Sequence, residues 1–125
     1  MRVLDAGVVV DLLVGRLDET ALGGEEAGVP HLLDSEVTNV LRRLVLRGLL
    51  GVEQGDAAMA RFLQLELERF TADWLRPRMW ELRENLTAYD ATYVALAESI
   101  GASALLTTDA RLAAAPGLRC VVRVV

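Results

Sequence analysis

Residues 87–109 read TAYDATYVALAESIGASALLTTD, and they contain a helix, a strand and the start of another helix. Thr87 is a typical N-cap, and the run after it predicts a helix over Ala88–Ile100, ended by Gly101. The short apolar stretch Ser103–Thr107 then predicts a buried strand. A helix followed at once by a buried strand is typical of chains that form a parallel sheet covered by helices.

The rest of the chain continues this alternation of short apolar runs and amphipathic segments. The predicted strands are Arg2–Leu4, Arg69–Thr71 and Leu118–Val125. The predicted helices are Gly7–Val14, a helix from an N-cap at Asp34 to Gly48, Asp56–Glu68, Pro77–Glu84 and Asp109–Ala114. Within the predicted helix Asp56–Glu68, Met59, Phe62 and Leu63 are expected to face inward. Residues Asp18–Gly28 are predicted to form an exposed loop. We therefore expect an α/β fold with a parallel sheet covered on both faces.

The composition describes one folded domain with an acidic balance. The chain has 125 residues, 53% of them hydrophobic, which is enough for one core and too few for two domains. The chain has eighteen acidic residues and thirteen basic ones, all of them Arg, which gives a formal net charge of −5. This balance argues against binding nucleic acid through net charge alone.

The single cysteine and the apolar runs bear on the compartment. Cys120 has no partner for an intramolecular disulfide. The segment from Met1 lacks the apolar run of a signal peptide, since Asp5 and Asp11 interrupt it, and no stretch is long enough to span a membrane. We expect a cytoplasmic protein that does not enter a membrane.

Four acidic residues lie at predicted helix starts. Asp5 follows the first strand, Glu36 follows Asp34, Asp90 lies in the turn after Thr87, and Asp109 follows the strand that ends at Thr107. Each one alone is explained as a helix cap or as a charge that favours the helix dipole.

Together the four acids indicate a metal site. Helix starts in a parallel sheet lie beside the carboxyl ends of the strands, where binding clefts form. Carboxylates gathered there repel one another unless a cation is bound, and oxygen ligands without His or Cys suit Mg²⁺ or Mn²⁺. Such an ion orients water and neutralises charge on a phosphate, so phosphodiester hydrolysis is the natural chemistry of the cluster.

The chain resembles the PIN-domain ribonucleases, and specifically the VapC-type toxins of VapBC-type toxin–antitoxin pairs. The matching segments follow the family's order and approximate spacing and span the chain nearly end to end. They read VLDA at 3–6, HLLDSEVTNVLRR at 31–43, LTAYDATYVALAE at 86–98 and LLTTDARL at 105–112.

The resemblance implies one PIN domain over residues 1–125, an α/β/α sandwich with a parallel sheet of about five strands. It implies a metal-dependent endoribonuclease in which the four acids are catalytic and hold Mg²⁺ or Mn²⁺. Thr107 matches a supporting hydroxyl in the family's Thr-x-Asp element, and Asn39 matches a polar residue that often supports the Glu. It also implies a homodimer and a cognate VapB-type antitoxin.

One departure from the family pattern concerns Gly7. The family often has Ser or Thr two residues after the first Asp, where this chain has Gly7. A hydroxyl contribution at this point must be absent or supplied from elsewhere in the chain.

Arginines near the acids are candidate RNA contacts. Glu36, Arg43 and Arg47 share roughly one face of their predicted helix, with Arg42 to the side, and Arg111 lies two residues beyond Asp109. They can lead phosphates toward the acids, or they can belong to a solvated face or pair with acids of the chain. A second candidate patch comprises Arg76, Arg78 and Arg83.

The aromatic residues favour packing over chemistry. Tyr89 and Tyr93 lie one turn apart on their helix and are expected to pack. Trp74 and Trp80 are expected to serve core or dimer packing more than base stacking.

Other functions stay open. A degenerate PIN domain would act as an RNA- or protein-binding module, and a nuclease could act on DNA instead of RNA. A receiver-like signalling domain also uses Mg²⁺, but it relies on a Lys that this chain lacks. Without the four proposed ligands, fourteen acids face thirteen Arg and the charge becomes −1, so much of the acidity is the proposed site itself.

Overall fold

A five-stranded parallel sheet lies at the centre of the computed structural model, which describes residues 1–125. The strand order is β3-β2-β1-β4-β5. The strands are β1 (Arg2–Leu4), β2 (Ala27–Pro30), β3 (Glu68–Phe70), β4 (Leu105–Thr107) and β5 (Val122–Val124). The helices are α1 (Ala6–Leu13), α2 (Leu32–Leu46), α3 (Val52–Gln64), α4 (Arg76–Glu81), α5 (Ala88–Ser99) and α6 (Ala110–Ala113), with 3₁₀ turns at Glu19–Leu22 and Asp73–Leu75.

The order of the strands decides where the helices pack. The chain moves from β1 through β2 to β3 on one side, then returns past β1 to β4 and β5 on the other. Since such crossovers are right-handed, the two directions place α1–α3 on one face of the sheet and α4–α5 on the opposite face. The predicted α/β sandwich with about five parallel strands is confirmed.

The middle of the core consists of strands β1 and β4 and helix α5, whose residues are buried on nearly every side. Val3 and Leu4 of β1 and Leu105 and Leu106 of β4 are fully buried in the middle of the sheet. Residues 91–97 of α5 are all buried, which explains why this helix lacks a polar face. None of the helices combines the length and the apolarity that a bilayer crossing requires.

Strand β2 is an element that the sequence does not predict. Ala27 lies inside the predicted loop, and Gly28 and Pro30 are residues that normally mark a turn. The segment is extended because it pairs in parallel with both β1 and β3, and Pro30 is tolerated at its last position. Tertiary pairing therefore overrides the local signal at this point.

The prediction that Asp34 caps α2 is wrong. The helix begins at Leu32, directly after β2, with His31 at the N-cap and no side-chain cap. Asp34 instead accepts two hydrogen bonds from the guanidinium of Arg69 on β3, both of 2.8 Å, and this partner lowers the pKa of Asp34. The earlier start places Glu36 in the second turn of the helix rather than the first.

Helix α3 lies about one turn nearer the N-terminus than Asp56–Glu68 predicts. Its start is fixed by Gln54, whose side chain accepts a 2.8 Å hydrogen bond from the Gly51 N–H. The shift leaves Phe62 buried and Met59 packed against the core, as expected, but Leu63 is 82% exposed, so its predicted inward orientation is wrong.

An ion pair between Arg78 and Glu98 joins α4 to α5. Arg78 donates to the Glu98 carboxylate from Nε at 2.7 Å and from Nη2 at 3.2 Å, and the Arg119 N–H donates to it at 2.8 Å. Arg78 also donates to the carbonyl of Gly117 at 2.7 Å. Burial opposes ionisation of Glu98, but these hydrogen bonds outweigh burial and leave its pKa below the ordinary 4.5.

We expect Glu98→Gln to lower the free energy of unfolding at neutral pH by about 1–3 kcal/mol, because it removes charge-assisted hydrogen bonds from a partly buried guanidinium. The depressed pKa means that the ion pair contributes fully above pH 4.5 and loses its contribution as the pH falls through the folded-state pKa. Urea unfolding from about pH 7 to about pH 3 measures the difference, which should shrink toward the acid end.

The matched control for this experiment is Glu84→Gln, because Glu84 is an exposed acid in the connection between α4 and α5. It should leave the free energy of unfolding within about 0.5 kcal/mol of the unchanged protein. An equal loss in both variants would contradict a specific role for the ion pair.

Candidate active site

Asp5 lies at the point where the order of the strands reverses. It follows β1 directly and caps α1, where its Oδ1 accepts a 2.9 Å hydrogen bond from the Val8 N–H. Its own N–H donates to the carbonyl of Leu106 on β4 at 3.0 Å. Asp5 is therefore held between β1 and β4, the place in an open parallel sheet where clefts form.

The end of β4 supports Asp5 and carries Asp109. Thr107 is fully buried, its hydroxyl donates to Oδ2 of Asp5, and the same hydroxyl accepts from the Asp109 N–H at 3.0 Å. Asp109 caps α6 and accepts from the Arg111 N–H at 2.9 Å and from its guanidinium at 3.3 Å. The two N-caps expected at Asp5 and Asp109 are both present.

Glu36 comes from α2 to the neighbourhood of Asp5, and Tyr93 of α5 binds its carboxylate. The Tyr93 hydroxyl donates to Oε1 of Glu36 at 2.6 Å, while the Tyr93 ring is buried. The expected packing of this tyrosine is confirmed, but its hydrogen bond to Glu36 is a role that the sequence analysis missed. The available signal was its position three residues after Asp90, on the same side of the helix.

Asp90, in the first turn of α5, lies near Asp5 and Glu36. Its N–H donates to the Thr87 hydroxyl at 3.2 Å, so the predicted cap by Thr87 is present. Tyr89, beside it, is 63% exposed, and its expected packing is wrong because it lies in the first turn of α5, before the buried stretch of residues 91–97.

Burial and mutual repulsion mark three of these acids as one group. Burial raises the pKa of Asp5, Glu36 and Asp90. The charge of Asp90 raises the pKa of both Asp5 and Glu36 further, and the charge of Asp109 does the same for Asp90. Asp109 differs, because hydrogen bonds from Arg111 lower its pKa. Asp109 therefore borders the group and is turned toward Arg111.

Comparison with known proteins assigns this arrangement to a family. A family model described as PIN domain matches residues 2–118. The chain belongs to the PIN-domain family. Ribonuclease VapC9 of Mycobacterium tuberculosis strain H37Rv is 40% identical over 126 residues, which cover 100% of this chain and 98% of VapC9. Ribonuclease VapC1 of the same strain is 43% identical over 132 residues, which cover 98% and 96% of the two chains.

A solved structure supports the same fold. VapBC2 from Rickettsia felis, crystallised with a DNA fragment from its promoter, superposes with a TM-score of 0.70 over 99% of this chain and 98% of that one. The sequence identity in this comparison is 16%, so it shows the shared fold alone. The resemblance to PIN-domain proteins of the VapC type is thus confirmed by the sequence relatives and is consistent with the structure.

The donor set of this PIN domain fits a hard divalent cation. The four acids of the candidate site offer carboxylate oxygens. Oε2 of Glu36 accepts no hydrogen bond within the chain. Burial and repulsion that oppose ionisation are the conditions under which a bound cation stabilises carboxylates. No group of three His, Cys, Asp or Glu side chains is arranged to hold an ion as the side chains stand. Thr107, Tyr93 and Arg111 each form a hydrogen bond with one of the four acids.

Asn39 lies on the open side of α2. It is exposed, its side chain forms no hydrogen bond, and Glu36 takes its hydrogen bond from Tyr93 instead. Asn39 and Arg42 line one shallow surface cleft together with Ser35, Thr38 and Asp34. Its supporting role stays a prediction.

The candidate RNA-binding arginines fall into two groups. Arg42, Arg43 and Arg47 form no ion pair or side-chain hydrogen bond at the surface of α2, so they do not pair with acids of the chain. Arg111 is 94% exposed but pairs with Asp109. Of the second patch, Arg78 is turned inward to Glu98, so its predicted place on a binding surface is wrong.

Proposed function

We propose that this chain is a metal-dependent endoribonuclease that cleaves RNA phosphodiester bonds, the toxin component of a type II toxin–antitoxin system. The observation that carries the proposal is the repulsion among Asp5, Glu36 and Asp90, which come from three distant segments of a PIN domain to within electrostatic reach of one another. The full-length relatives named as ribonucleases support the activity. We take residues 1–125 as one domain that works on RNA in the cytoplasm.

The proposed cofactor is Mg²⁺ or Mn²⁺. Asp5, Glu36 and Asp90 would hold it, with Asp109 as a further ligand once it leaves Arg111. When bound, such an ion lowers the pKa of a water and neutralises charge on the phosphate. Within the chain, Thr107 fixes the orientation of Asp5, and Tyr93 fixes that of Glu36.

The RNA path that we propose runs along α2. Arg43 and Arg47 lie seven and eleven residues after Glu36 on nearly the same face, about 10 and 16 Å along the helix axis. Unpaired guanidinium groups at these positions suit phosphate oxygens. Arg42 extends this surface toward Asn39, the proposed support of the site. Arg111 would release its ion pair with Asp109 and bind a substrate phosphate instead.

We expect Asp5→Asn to reduce RNA cleavage by at least about 100-fold, because it removes a charge from the metal-binding group. Asparagine still offers an oxygen to cap α1, so the fold should be kept. Cleavage of a fluorescent RNA oligonucleotide with Mg²⁺ or Mn²⁺ measures the effect, and a chelator should abolish the activity of the unchanged protein.

The control is Asp56→Asn, which removes an exposed acid of α3 and should cleave RNA at the unchanged rate. If the unchanged protein cleaved no RNA and behaved like Asp5→Asn, the enzyme proposal would fail and the chain would act as a binding module. Faster cleavage of a DNA oligonucleotide of matched sequence would instead indicate a deoxyribonuclease.

We expect the double substitution Arg43→Gln, Arg47→Gln to weaken RNA binding and to flatten its dependence on salt. Removing one arginine–phosphate pair should reduce the slope of log K against log salt by about 0.7 for a single strand. Fluorescence anisotropy in the Asp5→Asn background measures binding without cleavage. Arg123→Gln, on β5, removes another exposed and unpaired arginine as a control, and an equal effect there would contradict a specific path on α2.

We also propose two protein partners, a second copy of this chain and a VapB-type antitoxin. Support comes from large apolar side chains that the chain leaves uncovered. Leu46, Leu49 and Val52 are about two-thirds exposed around the junction of α2 and α3, and Trp80 is exposed on α4. Exposed apolar surface of this kind marks sites of protein association.

Sedimentation of the purified protein should show a dimer, and substituting Trp80 by Glu should shift it toward the monomer. Coexpression with a cognate VapB-type antitoxin should yield a complex in which RNA cleavage is suppressed. A monomer at all concentrations would contradict the dimer, and full activity in that complex would contradict the role of the antitoxin.

A further inference from the structure

The space above Gly7, beside Asp5, is filled by a residue from another strand end. A Cβ atom built on Gly7 would overlap the hydroxyl of Thr108 and would lie 3.5 Å from Oδ1 of Asp5. The Thr108 hydroxyl therefore occupies the place that a side chain at position 7 would take, and Oδ1 of Asp5 borders the same place.

Thr108 is the central residue of the segment that surrounds Asp5. Thr107, before it, donates its hydroxyl to Asp5, and Asp109, after it, donates its N–H to Thr107. The backbone N–H of Thr108 also faces the Asp5 carboxylate closely enough to oppose the rise in its pKa. The position of Thr108 is thus fixed by its neighbours on both sides.

The side chain of Thr108 has no structural partner. It is exposed, and its hydroxyl takes part in no hydrogen bond within the chain. Packing does not require a hydroxyl at this position, because the Thr108 side chain has no buried partner. The hydroxyl that donates to Asp5 is that of Thr107. A free hydroxyl near a carboxylate is suited to hold a water or a ligand of that carboxylate.

We propose that Thr108 is a positioning residue of the active site, and that its hydroxyl, placed over Gly7, supplies the hydrogen bond that a side chain at position 7 would otherwise supply. The hydroxyl acts through Asp5, by orienting a water or ligand that the Asp5 carboxylate holds. The inference rests on the proposed function, because it requires Asp5 to work as a metal ligand.

Gly7 permits a test in which stability and activity move in opposite directions. Gly7 lies inside α1 and has no positive φ, so alanine fits its backbone and should stabilise the helix. The added Cβ displaces the exposed Thr108 hydroxyl from its position next to Gly7. Gly7→Ala should therefore raise the melting temperature and yet lower activity, which a purely structural role for this contact would not do.

The experiment compares Thr108→Ala, Thr108→Ser, Gly7→Ala, and the double variants that combine Thr108→Ala with Gly7→Ala or with Gly7→Ser. Each full-length variant is measured for kcat and KM on an RNA oligonucleotide, for Mn²⁺ affinity by calorimetry, and for melting temperature. Thr20→Ala is the matched control, since Thr20 lies in the exposed 3₁₀ turn before β2, away from the carboxyl edge of the sheet.

We expect Thr108→Ala to lose about 10-fold in kcat and a similar factor in Mn²⁺ affinity, with KM and melting temperature nearly unchanged. Thr108→Ser should retain both. Gly7→Ala should lower kcat alone but have no further effect once Thr108 is alanine, and Gly7→Ser should restore part of the loss in that background.

The inference is overturned if Thr108→Ala keeps the kcat and the Mn²⁺ affinity of the unchanged protein. It is also overturned if Gly7→Ala and Thr108→Ala lower activity additively, because they would then act on different features. A failure of the proposed function looks different, since the unchanged protein would then cleave no RNA. Mn²⁺ affinity alone would decide the role of Thr108 in that case.

Discussion

The pairing of β1 with β4 is the contact on which the site depends. Their register, Val3 with Leu105 and Leu4 with Leu106, sets Asp5 beside Thr107 at the shared carboxyl edge. Because side chains alternate between the faces of a strand, a slip by one residue would exchange the faces to which these side chains point and would separate the aspartate from the hydroxyl. The same apolar residues that specify the register are fully buried, so the core and the alignment of the site share one cause.

The acids of the candidate site lower the stability of the folded chain that brings them together. Burial and repulsion raise the pKa of Asp5, Glu36 and Asp90, and each raised pKa represents ionised carboxylates that the folded chain holds at a cost. A continuous core of 25 buried hydrophobic residues offsets that cost. The protein thus follows the usual relation in which a functional site reduces the stability that the rest of the domain provides.

The sequence predicts the parts of the fold whose signals are local. Thr87 and Gly101 mark the ends of α5, and the acids that follow strands are visible as residues at helix starts. The sequence does not predict β2, whose Gly28 and Pro30 resemble a turn until neighbouring strands pair with them. It also does not predict the hydrogen bond from Tyr93 to Glu36, because the two residues lie 57 positions apart and no spacing rule links them. Local patterns therefore suffice for the acids, but not for the residues that hold them.

The distance along the chain between the two halves of the site has a consequence for biosynthesis. Asp5 and Thr107 are 102 positions apart, and β4 pairs with the first strand of the chain. A nascent chain that still lacks β4 has neither Thr107 nor Asp109, and its β1 has an unpaired edge. The site is therefore complete only after β4 and the residues that follow it have been made. A product truncated before β4 therefore carries no assembled site.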